Sequence, residues 1–231
     1  MVQAEQVNIP IERKNGEVWA FMSLKFHDGD SDKKKVDSLT DVLKVAGIKN
    51  VVMARDVEKW GNAEIPRDKQ LMPDFAFPAI EKCDMLICEF SEKGVGLGIG
   101  AAYAYAKRVP VYLIAKRGSD ISTTMCNIAN DIIFYDNLKE LIEPFKKIVN
   151  KLPRVILASN SEIRKQMIIN TDIPFEVVAS NAIETHNTSK PFRAQLAEIA
   201  MEKAKAVLNK TSDRALRLII AADQNIVFEG N

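Results

Sequence analysis

Two stretches of this 231-residue chain concentrate residue types that handle anions. In RVILASNSEIRKQM (residues 154–167), Ser159 and Ser161 follow an apolar run, with Arg164 and Lys165 just beyond. Hydroxyls, the free N–H groups of a helix start and a guanidinium would together cradle a triphosphate. The same residues also fit a plainer arrangement, with Ser161 an ordinary helix N-cap and Arg164 and Lys165 on a solvated face. In CEFSEKGVGLGIGAAYAYAKRVPV (residues 88–111), Gly94, Gly96, Gly98 and Gly100 stand between an apolar run and an alanine-rich one. Read as a turn, such glycines let backbone N–H groups approach an anion closely. Read as packing, they let a helix lie tight on a sheet. The spacing is neither the dinucleotide fingerprint nor a P-loop, and no Gly-Lys-Ser/Thr follows it, which argues against ATP hydrolysis of that type.

Strands and helices must hold these residues in place. VWAFMS (18–23) predicts a buried strand and KKKVDSLTDVLKVAG (33–47) an amphipathic helix stopped at Gly47. NVVMA (50–54) predicts a second strand, a polar stretch runs to about Gln70, and Asp74 and Pro78 mark a helix to Cys83. DMLICEF (84–90) is a third strand, AAYAYAKR (101–108) a helix, VPVYLIAK (109–116) a fourth strand and DIIFY (131–135) a fifth. LKELIEPFKKIVNKL (138–152) is a helix interrupted by Pro144. At Pro153 the pattern restarts: strands at 154–159, 174–180 and 216–222, and helices at 161–170 and 190–210. Alternating strands and helices predict an α/β fold with a doubly wound parallel sheet, followed by a second α/β domain. The organisation expected is a leader over 1–16, one domain over 17–150 and another over 153–231. In a doubly wound sheet, ligands sit beyond the carboxyl ends of the strands where the order reverses. That would place Ser23 and Lys25 beside the glycine stretch. GSDISTTM adds Ser122, a hydroxyl suited to a phosphate. Equally, Ser23 could simply end a strand and Ser122 cap a helix.

Composition narrows the function classes. With 32 Lys+Arg against 31 Asp+Glu the formal charge is +1. By count, residues 1–150 hold 21 basic and 22 acidic residues (−1) and the remainder 11 and 9 (+2), so neither half is polarised. Such a chain has no general electrostatic reason to bind nucleic acid or an anionic membrane. No apolar run approaches the roughly 18 residues of a membrane span, and MVQAEQVNIPIERKNGE lacks the apolar core of a signal peptide. Cys83, Cys88 and Cys126 read as buried thiols of a reducing compartment, and His27 and His186 are too far apart for a His-rich metal site. A cytoplasmic protein is expected.

MSLK after the first strand, CDMLICEFSEKGVGLGIGAAYA and GSDISTT resemble the nucleoside 2-deoxyribosyltransferase superfamily, nearest its 2′-deoxynucleoside 5′-phosphate N-hydrolase branch. The resemblance covers residues 17–149. It implies a flavodoxin-like fold, a homodimer through this domain, and a nucleotide whose phosphate is held by backbone amides and serines, one serine from the neighbouring subunit. By match, Ser23 and Ser122 would be phosphate contacts. The family's nucleophilic Glu has no counterpart, since Gly96-Leu97-Gly98-Ile99-Gly100 carries no carboxylate. The family's acid falls near Ala76, with Asp74 close by. Cleaving a glycosidic bond needs such a carboxylate, so this domain is expected to bind a nucleotide without cutting it. Replacement by Asp74, Glu89 or Glu92 is the alternative.

ILASNSEIRKQM, IPFEVVASNAIET, AEIAMEKAKAV and IIAADQNIVFEG occur in the order of the Maf-type nucleoside triphosphate pyrophosphatases. By position, Ser159 and Ser161 match that family's serines, Arg164 its second arginine, Glu184 its loop acid, Lys203 its helix lysine and Asp223 its catalytic Asp. The resemblance implies Asp223 and Glu184 as a carboxylate pair for Mg²⁺ and water, with cations spread over the polyphosphate. Outside the resemblance, Asp223 could be a turn residue, Glu184 an ordinary loop acid and Lys203 part of a solvated face. Glu162 and Ile163 replace the usual Pro-Arg, removing one phosphate-binding charge. Gln224, where many members have Thr, resembles the branch preferring 7-methyl-GTP over dTTP or UTP. Asn231 falls about two-fifths of the way through a family-length domain, so either the sequence is a piece or the protein carries a partial domain. The function expected is hydrolysis of non-canonical nucleoside triphosphates to monophosphate and pyrophosphate. A non-catalytic nucleotide-binding scaffold is the alternative.

Overall fold

The structure is a computed structural model and describes residues 11, 17–27, 29–152, 154–169, 171, 173, 175–184, 189–210 and 217–224. Apart from Ile11, the leader expected over 1–16 lies outside the described residues. The chain clusters into two compact units that part between Val149 and Asn150.

In the first unit, β1 (Val18–Leu24) is flanked in parallel by β2 (Ile48–Val51) and β3 (Met85–Glu89), with β4 (Val111–Lys116) and β5 (Asp131–Tyr135) beyond. The order is β2-β1-β3-β4-β5, the flavodoxin-like arrangement, and it reverses between β1 and β3. Register places Ser23 opposite Cys88 and Leu24 opposite Glu89, at the carboxyl ends on either side of that reversal. Every residue of β3 is buried, as a strand covered on both faces requires. Burying its Leu86 and Ile87 contributes roughly 1.5–3 kcal/mol apiece.

The helices follow from local chemistry. α1 (Asp30–Val45) opens with Asp30 and Asp32 against the positive end of the helix and stops before Gly47, which sits at φ 84. A π-helical turn (Leu71–Ala76) leads into α2 (Phe77–Glu81), where Pro78 occupies the first turn. α3 (Val95–Ala106) corrects the sequence reading of this stretch. Gly96, Gly98 and Gly100 lie inside its first turns rather than in a turn before it, and of the four glycines only Gly94, its extended N-cap, precedes the helix. Each glycine costs a helix about 1 kcal/mol relative to alanine. Burial of Leu97, Gly100, Ala101 and Ala104 along one face offsets that cost. α4 (Thr123–Ile128) follows β4. The last helix begins with a tight turn at Leu138–Leu141, capped reciprocally by Asn137 and Glu140, and continues as α5 (Ile142–Lys151). Pro144 falls in the first turn of α5, where a missing N–H costs nothing, so it does not interrupt the helix. Cys83 and Cys88 are buried, the latter's thiol pushed up to about 12 by burial; Cys126 is exposed, contrary to expectation.

In the second unit, β6 (Arg154–Leu157) lies between β7 (Phe175–Val177) and β8 (Arg217–Ile220), parallel to both. α6 (Glu162–Ile169) follows β6 and α7 (Phe192–Lys210) precedes β8. Ile156, Ala158 and Val207 form a buried cluster with Val178, Ile219 and Ala221 packed against it, and Leu157, Phe175 and Ile199 are buried as well.

Candidate functional site

Parallel pairing brings the polar ends of the second unit to one edge. Leu157 pairs with Ile220, and Ala158 N–H donates to the Ile220 carbonyl at 2.8 Å. Ser159 and Asp223 therefore both lie just past the carboxyl ends of neighbouring strands. Ser159 is buried, and its Oγ accepts from Ser161 N–H at 3.1 Å and from Arg164 Nη1 at 3.2 Å. Ser161 Oγ in turn accepts from Arg164 N–H at 3.5 Å, at the start of α6. Ser159 thus holds the guanidinium and Ser161 caps the backbone at the start of the helix, where the remaining unpaired N–H groups favour an anion. Lys165 is placed differently, pairing with Glu162 on its own helix at 2.9 Å.

Lys203, Ile199 and Val207 recur every fourth residue on the buried face of α7. That spacing carries the Lys203 ammonium to Asp223 at 2.8 Å and to Glu184 at 2.7 Å. Burial works against the charge, but the hydrogen bonds to Asp223 and then Glu184 outweigh it and raise the amine above its ordinary range. The Lys203 and Asp223 side chains are only 10% and 11% exposed, whereas Glu184 is half exposed. At the end of α7, Lys210 Nζ donates to the carbonyls of Ala179 and Ser180 at 2.9 and 2.8 Å, tethering the loop that leads to Glu184. Asp223 and Glu184 meet at one ammonium, and their carboxylate oxygens are the hard ligands that Mg²⁺ prefers, its other ligands commonly coming from phosphate and water. No cluster of three or more acidic, His or Cys side chains suited to a metal occurs among the described residues, so phosphate oxygens would have to complete such a site.

In the first unit a cavity of about 450 Å³ opens at the reversal point between β1 and β3. Ser23, Lys25, Gly94 and Gly96 line it, as does Gly100; Gly98 and Ser122 do not. Ser122 stands instead at the N-terminal end of α4. Lys25 pairs with Glu92 at 3.4 Å, and both are about half exposed, so water screens the pair. None of the three acids given as alternative replacements for the missing nucleophile lines the cavity. Asp74 accepts from Gln70 N–H at 2.7 Å, Glu92 faces Lys25 and His27, and Glu89 is held by Lys35 at 2.6 Å, by Tyr135 Oη at 3.0 Å and by Ser91 Oγ. Burial and the Glu89 charge push the Tyr135 phenol upward.

The carboxyl that does line the cavity is Glu58, a residue sequence reasoning passed over. Burial raises it above the ordinary carboxylate range. It sits in a polar segment without a motif, and its only sequence signal is its position after β2, beside the strand where the order reverses.

The strand order of the first unit defines a flavodoxin-like α/β fold, and the second unit is a parallel α/β sheet with serines, Arg164 and a lysine–carboxylate cluster at one edge. Residues 154–230 match the family model described as Maf-like protein. Over 78 residues, 34% of this chain, the sequence is 40% identical to a "dTTP/UTP pyrophosphatase" of Deinococcus radiodurans and 35% identical to a "7-methyl-GTP pyrophosphatase" of Burkholderia lata. The matched segment spans about two-fifths of each relative, 38% and 37% of their lengths. Among solved structures, a 2-deoxyribosyltransferase of Bacillus psychrosaccharolyticus aligns with 54% of this chain and 90% of its own at a TM-score of 0.44 and 12% identity. A CMP N-glycosidase of Clostridium botulinum aligns with 56% and 98% at a TM-score of 0.41 and 18% identity. No helix among the described residues is long and apolar enough to cross a membrane.

Proposed function

We propose that the second unit hydrolyses the α–β phosphoanhydride of nucleoside triphosphates, giving a nucleoside monophosphate and pyrophosphate. The observation that carries this reading is the buried Lys203 ammonium joining Asp223 and Glu184 beyond β8, beside the Ser159–Ser161–Arg164 cluster beyond β6. The names of the matched relatives support the reaction class. Arg164 and the N–H groups at the start of α6 bind the polyphosphate, Lys203 adds a cation, and Asp223 orients the attacking water and accepts its proton. Asp223 and Glu184 would hold Mg²⁺, which offsets polyphosphate charge when bound. Gln224, exposed beside Asp223, favours 7-methyl-GTP among candidate substrates.

The first unit binds a nucleoside monophosphate and leaves its glycosidic bond intact, supported by the absence of a carboxylate from Gly96 to Gly100. The protein is read as cytoplasmic and as a homodimer through this unit, with neither nucleic acid nor membrane as a partner.

The test is pyrophosphate release by the chain with Mg²⁺ across a panel of triphosphates. Asp223→Asn keeps the shape, removes the charge, and is expected to slow release by roughly 10²–10⁴. Full activity in that variant would reduce Asp223 to a turn residue. Triphosphate binding without release in the unmodified chain would favour the non-catalytic scaffold.

A further inference from the structure

Glu58 has no hydrogen-bond or ion-pair partner for its carboxyl among the described residues, and it lines the cavity of the first unit. The polar side chains lining that cavity are Ser23, Lys25 and Glu58; the rest of the wall is apolar or glycine. Lys25 offers no compensation, since its ammonium pairs with Glu92 at 3.4 Å. Glu58 is only partly buried, and with no cation beside it the hydration it loses in this apolar wall raises its carboxyl above the ordinary range.

The chain around Glu58 is held with some effort. The next two residues, Lys59 and Trp60, both take left-handed backbone angles, φ 49 and φ 57, which non-glycine residues seldom adopt. The loop closes back on Glu58, whose carbonyl accepts from Gly61 N–H at 2.9 Å and Ala63 N–H at 3.0 Å. The Trp60 ring then lies 5.4 Å from that of Phe26, which also lines the cavity. Strain of this kind persists only where the surroundings enforce it.

We propose that Glu58 is the base-recognising residue of this cavity and takes, as a neutral carboxylic acid, a flat uncharged nitrogen heterocycle. The inference rests on the first unit being a nucleotide site and names the part of the nucleotide that the cavity selects. A neutral carboxyl presents one O–H donor beside one carbonyl acceptor. Its complement is a ring nitrogen with a lone pair next to an amino group, as on the adenine or cytosine edge. An ionised carboxylate presents two acceptors and would instead take two adjacent donors, as on the guanine edge. The apolar wall favours the neutral form, hence the amino-heterocycle with the adjacent acceptor.

Calorimetry on the full chain with adenosine 5′-monophosphate, guanosine 5′-monophosphate and deoxyribose 5-phosphate separates the outcomes, since the three share a phosphate. The adenine nucleotide is expected to bind more tightly than the other two. Above the Glu58 titration its advantage should fall by up to tenfold per pH unit, because only the protonated form pairs. Glu58→Gln places an amide donor and a carbonyl acceptor at the same position, so it should keep the preference within about threefold and abolish the pH dependence. Glu58→Ala should weaken the adenine nucleotide by about tenfold, the worth of one or two neutral hydrogen bonds. Preference for the guanine nucleotide, or a Glu58→Gln variant as weak as Glu58→Ala, would overturn the neutral-carboxyl proposal. Equal binding of all three ligands, indifferent to both substitutions, would overturn it and leave the nucleotide reading standing. Binding of none of them would remove the nucleotide reading and the proposal together.

Discussion

A lysine that is nine-tenths buried keeps its charge only if something nearby is worth more than the water it has lost. At Lys203 that something is a pair of carboxylates, Asp223 at 2.8 Å and Glu184 at 2.7 Å. Its amine is raised above the ordinary lysine range, burial opposing the charge and the two hydrogen bonds prevailing. The pair therefore contributes stability that is complete below the unfolded-state value of about 10.4 and is lost as pH rises through the folded value. Lys203→Met leaves two facing acids without their cation and is expected to cost about 1–3 kcal/mol at neutral pH. Thermal denaturation across pH checks this: the gap between the two proteins should stay constant up to about pH 10 and close only above it. A gap that closed between pH 6 and 8 would mean that another group governs the cluster. Ser159 illustrates a different economy, one buried oxygen fixing both the start of α6 and the Arg164 guanidinium.

Among the elements, α3 tests how far local propensity can be overruled. Four glycines in seven residues predict a turn, yet the helix begins directly after the first of them. A methyl group added at Gly98 would meet nothing within 4 Å, and its backbone is helical rather than left-handed. Gly98→Ala is thus expected to stabilise the first unit by about 0.5–1 kcal/mol, measured by urea denaturation, with nucleoside monophosphate binding unchanged. Loss of binding in that variant would mean that a ligand packs against Gly98 after all. The sheets were legible from the sequence because VWAFMS, DMLICEF and VPVYLIAK are near-continuous apolar runs with polar residues mostly at their ends, which is what strands buried on both faces require. The start of α3 was not, because its stabilising contact is with Ile80 and the sheet rather than within the helix. Ser159, Arg164, Lys203 and Asp223 stand in the sequence as an ordered set, but the placing of Ser159 and Asp223 at the ends of neighbouring strands depends on β6 lying beside β8, which no local pattern encodes. Glu58 was illegible for the same reason: its wall is assembled from β1, the segments after β2 and the start of α3.

On the scale of the whole molecule, the chain builds two parallel sheets, each with its own core and with its candidate residues gathered beyond strand carboxyl ends. Glu58, proposed for base recognition, and Ser23 and Lys25, which line the same cavity, all belong to the first compact unit. Those proposed for phosphoanhydride hydrolysis, Ser159, Arg164, Glu184, Lys203 and Asp223, all belong to the second. Residues that share no partners have additive effects, to within about 0.5 kcal/mol. With the proposed base-recognition site in one unit and the proposed hydrolytic site in the other, the losses are expected to be separable. Glu58→Ala should weaken adenosine 5′-monophosphate binding and leave pyrophosphate release within about twofold of the unmodified rate. Asp223→Asn should slow release and leave monophosphate affinity within the same margin, and the double variant should show both losses at their single-variant sizes. Calorimetry and a pyrophosphate assay on the four proteins measure every arm. If Glu58→Ala slowed pyrophosphate release by tenfold, about 1.4 kcal/mol, the two sites would have to share an energetic link, and the description of independent nucleotide sites would fail.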